Sequence, residues 1–443
     1  MARPKYHLIT YGCQMNKSDS ERITTVLDRM GLDQTVSEGE ADVILINSCS
    51  VRQTAEDRIF GKMRDFEALK AFKPNLVVGV TGCLPGRDRD GKIRAKMPVV
   101  DLYFPIKDLP QLPRWLSEHN PGLYNSDDLE ADYLKIRPRY ASEKQAYVTI
   151  QTGCNKFCTY CVVPFSRGLE KNRPVADILA EVSDRARRGT VEITLLGQTV
   201  NSYRSPDRAT FNAANPYKDD FAALLWEVNR VPGIERIHYT APHPIHMTDE
   251  VIDALTLPKH VNYLHLPVQA GDNEVLRRMN RRYTGEFYID LINKIRAKKP
   301  GICIGTDIIV GFSGESADQF GRTVDLYKKC DFDIAYTAMY SVRSGTAAHK
   351  AFKDDVLQAE KKRRWLELQN LMEETVLRKN QAFVGKTVEV LVDSWSDGVA
   401  GGNSRDMKTV RFLSAEDLRG RFVQVRVTKA MEWLLSGERY AAS

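Results

Sequence analysis

The stretch Gly153-Cys154-Asn155-Lys156-Phe157-Cys158-Thr159-Tyr160-Cys161 directly follows an apolar, β-rich run, Tyr147–Gln151, and its cysteines are spaced CxxxCxxC. Thiolates are soft ligands that suit iron–sulfur clusters and zinc. Three of them in one loop can hold three corners of a 4Fe–4S cube and leave the fourth iron without a protein ligand. A structural zinc site takes four closed ligands, and no fourth Cys or His lies nearby in the sequence. A histidine brought in from a distant segment keeps zinc as the alternative.

Downstream of this loop a βα rhythm continues. Strands are expected at Glu192–Leu196, Arg236–Thr240, Tyr263–Leu266, Ile304–Val310 and Ile334–Tyr340. Helical patterns lie between most of them, at Val175–Arg188, Phe221–Val228, Tyr288–Arg296 and Ala317–Lys328. Six such units fit a partial (β/α)6 barrel better than a closed eightfold one. The cysteine loop then sits at the C-terminal mouth of the first barrel strand, where barrel active sites lie. Gln198 after the second strand, Gln269 after the fourth and Asp307 within the fifth share that mouth. Arg277, Arg278, Arg281 and Arg282 form a basic run suited to a carboxylate or an RNA phosphate. For any single arginine a solvated helix face is an equal reading. His238, His243 and His265 have no ligand spacing and read as structural or lining residues. Phe157 and Tyr160 are placed to flank a substrate or a cluster, with packing around the cluster as the preferred reading.

Upstream, β-rich runs at Tyr6–Thr10, Val43–Ile46 and Leu76–Val80 are each followed by a helical stretch: Ser18–Met30, Thr54–Leu69 and, more weakly patterned, Arg87–Lys96. The alternation predicts a parallel α/β sheet. Cys13, Cys49 and Cys83 each lie two or three residues past one of these runs, 36 and then 34 residues apart. Strand ends of a parallel sheet collect at one edge, so the three thiols are predicted to converge and to offer a second open cluster site. Three unrelated buried cysteines are the competing reading, since free Cys is among the most buried residue types. Cys303 and Cys330 fit no pattern and read as inert.

The chain of 443 residues is 42% apolar and 28% charged, with net charge +6. That balance permits an anionic partner such as RNA without requiring one. The start MARPKYHLIT has no apolar core of a signal peptide, and no apolar run approaches the ~20 residues of a membrane span. A cytoplasmic chain is expected, where cysteines serve metals or catalysis before disulfides. A charged helix is expected over Asp354–Asn380 with the stripe Leu357, Trp365, Leu368, Leu371 and Leu377. Beyond it, Thr387–Val392, Lys408–Phe412 and Phe422–Thr428 read as strands of a small all-β barrel.

Several stretches resemble the radical S-adenosylmethionine (SAM) methylthiotransferase family: YGCQMNKSDSE (11–21), INSCSVRQTAEDR (46–58), TGCLPGR (81–87), GCNKFCTYCVVPFSRG (153–168), HLPVQAG (265–271), IVGFSGE (309–315) and SVRSGTAA (341–348). The resemblance covers nearly the whole chain. It implies an α/β fold with a methylthiotransferase N-terminal domain at 1–125, a linker at 126–143, a radical SAM core at 144–375 and a TRAM-like RNA-binding barrel at 376–440. It implies two [4Fe–4S] clusters, a radical SAM cluster on Cys154, Cys158 and Cys161 and an auxiliary one on Cys13, Cys49 and Cys83. SAM is the implied co-substrate, with Gln198, Gln269, Arg281 and Asp307 as its candidate contacts. Gly12-Cys13-Gln14-Met15-Asn16 and Ser48-Cys49-Ser50 resemble the branch acting on N6-isopentenyladenosine 37 of tRNA. That branch makes the 2-methylthio derivative, with one SAM as radical source and a second as methyl donor. The other branches act on threonylcarbamoyl-adenosine tRNA or on a ribosomal protein aspartate. A non-catalytic zinc-binding RNA adaptor is the remote alternative.

The implied partners are a tRNA anticodon stem-loop, met by Lys386, Arg405, Lys408, Arg411 and Arg426, and an electron donor such as flavodoxin or ferredoxin. Carriers of Fe–S clusters or sulfur are a further expectation, and the chain is expected to be a monomer. It departs from the family pattern at Ala270 and Ser313 and in the long stretch between Thr199 and Asp219.

Overall fold

The computed structural model describes residues 3–50, 53–119 and 132–440. The first unit is a parallel sheet of β1 (Lys5–Tyr11), β2 (Asp33–Gln34), β3 (Val43–Ser48), β4 (Val77–Gly82) and β5 (Leu102–Tyr103), in the order β2-β1-β3-β4-β5. Along β3 the side chains alternate, so Val43 and Leu45 enter one core and Ile44 and Ile46 the other. Both faces are covered, as a sheet of near-continuous Val, Ile and Leu requires. Helices Gln14–Arg29 and Gln53–Phe72 follow β1 and β3.

The expected helix Arg87–Lys96 does not form. The chain makes a short helix Cys83–Arg87 and later a single 3-10 turn, Arg94–Lys96. Between them the Asp88 carboxylate accepts from the backbone N–H of Ile93 and Arg94 at 2.9 and 2.7 Å, and Gly91 takes φ +69°. A side chain that captures backbone donors in this way offers an alternative to the helix.

The second unit begins with β6 (Gln145–Thr149). A small antiparallel pair, β7 (Gln151–Thr152) and β8 (Lys171–Asn172), closes the base of the cysteine loop. Then come β9 (Glu192–Leu196), β10 (Arg236–Tyr239), β11 (Tyr263–His265), β12 (Cys303–Val310) and β13 (Ile334–Met339). The six long strands form two parallel sheets, β10-β9-β6 and β11-β12-β13, joined at an isolated Ile237–His260 bridge. This is an open, partial barrel. The stretch after Thr199 packs back on it, with Asp207 accepting from the N–H groups of Val175 and Ala176 at the start of helix Val175–Arg187.

Helix Gln358–Gln381 packs against β12 and β13, and the expected stripe is met in part: Leu368 is buried, and Trp365 and Leu371 pack against the same core. Leu357 lies outside the helix and is exposed, and the inward face is Lys361, Arg364, Leu368, Met372 and Val376. Two of those are charged: the buried Lys361 reaches out to the exposed Asp354 at 2.7 Å, and Arg364 pairs with the buried Glu315 at 2.8 Å. A purely apolar periodicity cannot register such positions.

The chain ends in a closed five-stranded barrel of β14 (Thr387–Ser396), β15 (Val399–Ser404), β16 (Thr409–Leu413), β17 (Phe422–Ala430) and β18 (Leu435–Arg439). Arg236, fully buried, fastens it to the start of β10 by donating to the carbonyls of Asn403 and Glu389 at 3.0 and 2.8 Å. Among the described residues no helix is long and apolar enough to cross a membrane.

Candidate functional site

The N-terminal cysteines converge because of strand register. Tyr11, Ser48 and Gly82 are direct neighbours at the ends of the adjacent strands β1, β3 and β4. Cys13, Cys49 and Cys83 follow within one or two residues, and the Cys49 N–H bonds the Tyr11 carbonyl at 2.7 Å. An amide network tightens this edge. Asn16 donates to Asn47 Oδ1 at 3.2 Å and to the Ser48 carbonyl at 3.1 Å, and Asn47 donates back to the Asn16 carbonyl at 2.7 Å. A Cβ at position 12 would lie 2.2 Å from Asn16 Oδ1, which explains why a glycine precedes Cys13.

The barrel loop is built as tightly. Gly153 takes φ +75°, and a Cβ there would meet the Leu169 carbonyl at 2.1 Å. The Cys154 N–H bonds the Gly168 carbonyl at 3.1 Å. From the far side, Asn280 donates to the carbonyls of Lys156 and Phe157 at 3.2 and 3.0 Å. Thr199 Oγ1 and the Lys156 N–H each lie 3.4 Å from Cys154 Sγ.

The ten residues singled out from the sequence line one cavity of about 1060 Å³: the six cysteines with Gln198, Gln269, Arg281 and Asp307. Arg281, buried, donates to Cys158 Sγ at 3.5 Å, to the Tyr283 hydroxyl at 2.9 Å and to the Pro267 carbonyl at 3.0 Å. Its neighbours in the basic run do not join it: Arg277 pairs with Glu274 at the surface, and Arg278 donates to the Ser313 carbonyl. Gln198 Oε1 is buried without a hydrogen-bond partner. Gln269 holds φ +73°, a conformation that costs a non-glycine residue of order 1 kcal/mol or more. Asp307 lies 3.2 Å from His265 Nε2, and the Tyr263 hydroxyl meets His265 Nδ1 at 2.9 Å. His238 and His243 also line the cavity, as does the half-buried ring of Tyr160. Cys303 and Cys330 are buried elsewhere. From the small barrel come Lys408 and the half-exposed Trp433, the latter unmarked by any sequence pattern.

The cavity is a poor solvent for charge. Burial pushes the Cys161 thiol up to about 12, with Cys158 adding repulsion. Cys154 and Cys83 are also raised, mainly by burial. Ligation therefore has to release protons from these thiols. Among the described residues no three His, Cys, Asp or Glu side chains close on a single point as ligands of one ion. Cluster ligands bind separate irons, and these thiols stand around a cavity wall.

His238 is pushed down to about 4, by burial first and by His265 second. It stays neutral in the fold and charges freely once unfolded, so the unfolded chain binds the extra proton below pH 6.5. Stability is complete above that pH and falls as pH drops towards 4, by about 1.4 kcal/mol per unit and roughly 3 kcal/mol in all. A His238→Gln variant is expected to lose less stability between pH 6.5 and 4.5 in denaturant titrations. Equal pH slopes for variant and parent contradict this.

Known proteins resemble the chain along its length. Residues 5–105 match the family described as "Uncharacterized protein family UPF0004", and residues 148–327 match the "Radical SAM superfamily". Two relatives are named tRNA-2-methylthio-N(6)-dimethylallyladenosine synthase. The one from Moorella thermoacetica is 41% identical over 99% of this chain and 98% of its own length. The one from Thermoanaerobacter sp. (strain X514) is 40% identical over 98% and 92%. Among solved structures, the radical S-adenosylmethionine methyltransferase TsrM from Kitasatospora setae superposes with TM-score 0.55 at 14% identity, over 78% of this chain and 74% of that one, a likeness of fold alone. By its identity to these full-length relatives, the chain belongs to the radical SAM methylthiotransferase family, beside members named tRNA-2-methylthio-N(6)-dimethylallyladenosine synthase.

Proposed function

We propose that this enzyme modifies tRNA, placing a methylthio group on C2 of N6-isopentenyladenosine next to the anticodon. The observation that carries the reading is the meeting of six cysteines, three from the N-terminal sheet edge and three from the barrel loop, at one cavity, in a chain about 40% identical over nearly its whole length to synthases of that name. Cys154, Cys158 and Cys161 would hold one [4Fe–4S] cluster and Cys13, Cys49 and Cys83 a second. When bound, these groups supply the electron for reductive cleavage of SAM and the sulfur to be transferred.

The protein's own side chains then have definite work. Arg281 beside Cys158 and Thr199 beside Cys154 stabilise thiolate charge in the buried loop. The unpartnered Gln198 amide oxygen is an acceptor for an ammonium or hydroxyl group of SAM. The Tyr263–His265–Asp307 chain fixes a carboxylate at the mouth. Trp433 offers a ring, and Lys408 a cation, for a nucleotide turned out of its stack. The division into units at 1–125, 144–375 and 376–440 is part of this proposal; helix Gln358–Gln381 runs across the last boundary, and the linker 126–143 lies partly outside the described residues. An electron donor of the flavodoxin or ferredoxin kind, cluster or sulfur carriers, a cytoplasmic site and a monomeric state remain part of the same reading.

The test is mass spectrometry of nucleosides from isopentenylated tRNA, incubated anaerobically with cluster-reconstituted protein, SAM and a strong reductant. The expected result is an isopentenyladenosine heavier by one methylthio-for-hydrogen exchange. Release of 5′-deoxyadenosine without that nucleoside would overturn the substrate and direct the search to threonylcarbamoyl-adenosine tRNA.

A further inference from the structure

The barrel sends arginines into the cysteine edge of the N-terminal sheet. Arg167 lies six residues past Cys161, and its side chain is 2% exposed. It donates to both oxygens of the buried Asp19, at 2.5 and 3.4 Å, and it lines the same cavity as the Cys83 thiol. Asp19 also accepts from the Tyr133 hydroxyl. Arg343, on the loop after β13, donates to Gln53 Oε1 at 2.5 Å and lies 3.9 Å from Glu56, whose carboxylate accepts from the hydroxyl of Ser50, the residue after Cys49. Arg87, from the N-terminal unit, completes that second cluster by pairing with Glu56 and reaching Ser344 Oγ at 3.0 Å.

Neither arginine belongs to the unit that carries the three thiols, and neither interaction exists when the units are apart. Cys13 is exposed, but beside the buried Cys49 and Cys83 a nearby cation acts with little screening. The net charge around a cluster and the hydrogen bonds to its sulfurs are among the levers on its reduction potential. A cation beside the thiolates favours the reduced, more negative form, and a carboxylate does the opposite.

We propose that Arg167 and Arg343 are positioning residues, lent by the barrel, that raise the reduction potential of the group held by Cys13, Cys49 and Cys83, so that this group reaches its working potential only in the docked enzyme. The inference rests on the reading of those three cysteines as cluster ligands. The step concerned is the entry of one electron from the external reductant; no bond forms or breaks.

The experiment uses the full chain with Cys154, Cys158 and Cys161 all changed to Ala, so that iron binds only at the N-terminal site. After anaerobic reconstitution the cluster is titrated with reductant and followed by electron paramagnetic resonance. In an Arg167→Met variant the reduced-to-oxidised ratio at a fixed potential is expected to fall about tenfold, the equivalent of about 59 mV for one electron. Arg343→Met is expected to move it the same way. Asp19→Asn, which removes the opposing carboxylate, is expected to move it upward. Damage to the fold has no reason to give opposite signs.

Potentials that do not move, or that all move together, overturn the inference while leaving the cluster reading intact. Absence of iron in the parent overturns both. If Arg167→Met alone fails to hold iron, Asp19→Asn decides: an upward shift supports the inference and no shift overturns it.

Discussion

Replacing Cys154 with alanine is expected to abolish both 5′-deoxyadenosine release and methylthiolation, whereas replacing Cys49 is expected to abolish methylthiolation alone. In each case the lost activity falls by about a thousandfold or more, the scale seen when a group that works only as part of a set is removed. The asymmetry follows from placement. Cys154 sits in the barrel loop with its Sγ held by Thr199 Oγ1 and the Lys156 N–H, at the strand mouth where barrel chemistry is done. Cys49 closes the end of β3 in the other unit, and its backbone is fixed by the Tyr11 carbonyl. Loss of the Cys49 thiol leaves the barrel loop, Arg281 and the Gln198 acceptor untouched. Deoxyadenosine and methylthio nucleoside are counted in the same reaction, with iron per chain measured alongside. If Cys49→Ala silences deoxyadenosine release as well, the two cysteine sets do not have separate tasks.

Much of this site was legible because it depends on strand register. Three cysteines placed alike past three parallel strands have to share an edge, and the pairing of Tyr11, Ser48 and Gly82 supplies the geometry. The barrel strands were legible as short runs bounded by turn residues: Glu192–Leu196 is wholly buried and forms within its expected bounds. What escaped were contacts between distant segments that have no periodicity. Arg167 reads locally as one basic residue after a cysteine loop, and only the fold brings it to Asp19, 148 residues earlier. Trp433 is likewise an isolated aromatic until the small barrel closes. The strands Val399–Ser404 and Leu435–Arg439 were missed because Gly401, Gly402 and Gly437 weaken a strand signal. Two of those glycines are where backbones meet: a Cβ at Gly402 would lie 2.0 Å from the Leu391 carbonyl, and one at Gly437 2.4 Å from the Arg426 carbonyl.

Gly86 is such a glycine at the junction of the two cysteine-bearing units, and Gly86→Ala is expected to uncouple them. It sits in helix Cys83–Arg87, and a Cβ there would lie 2.1 Å from the Ser166 carbonyl oxygen and 2.8 Å from the Ser166 carbonyl carbon and Cα. All three atoms are backbone, so no side chain can swing aside, and the two segments have to separate. That separation pulls Cys83 away from the loop that carries Cys161 and loosens Arg167 on Asp19. A misplacement near 1 Å between reacting groups costs about a hundredfold in rate. Methylthio nucleoside formed per deoxyadenosine released is therefore expected to fall by about that factor, while deoxyadenosine release itself changes little. Gly61→Ala is the control. It lies within helix Gln53–Phe72 with open space at its Cβ position, and there alanine is expected to stabilise the chain by about 0.5–1 kcal/mol. A Gly86→Ala enzyme that keeps the parental ratio of methylthio nucleoside to deoxyadenosine would mean that close docking of the two cysteine loops is not what joins the two half-reactions.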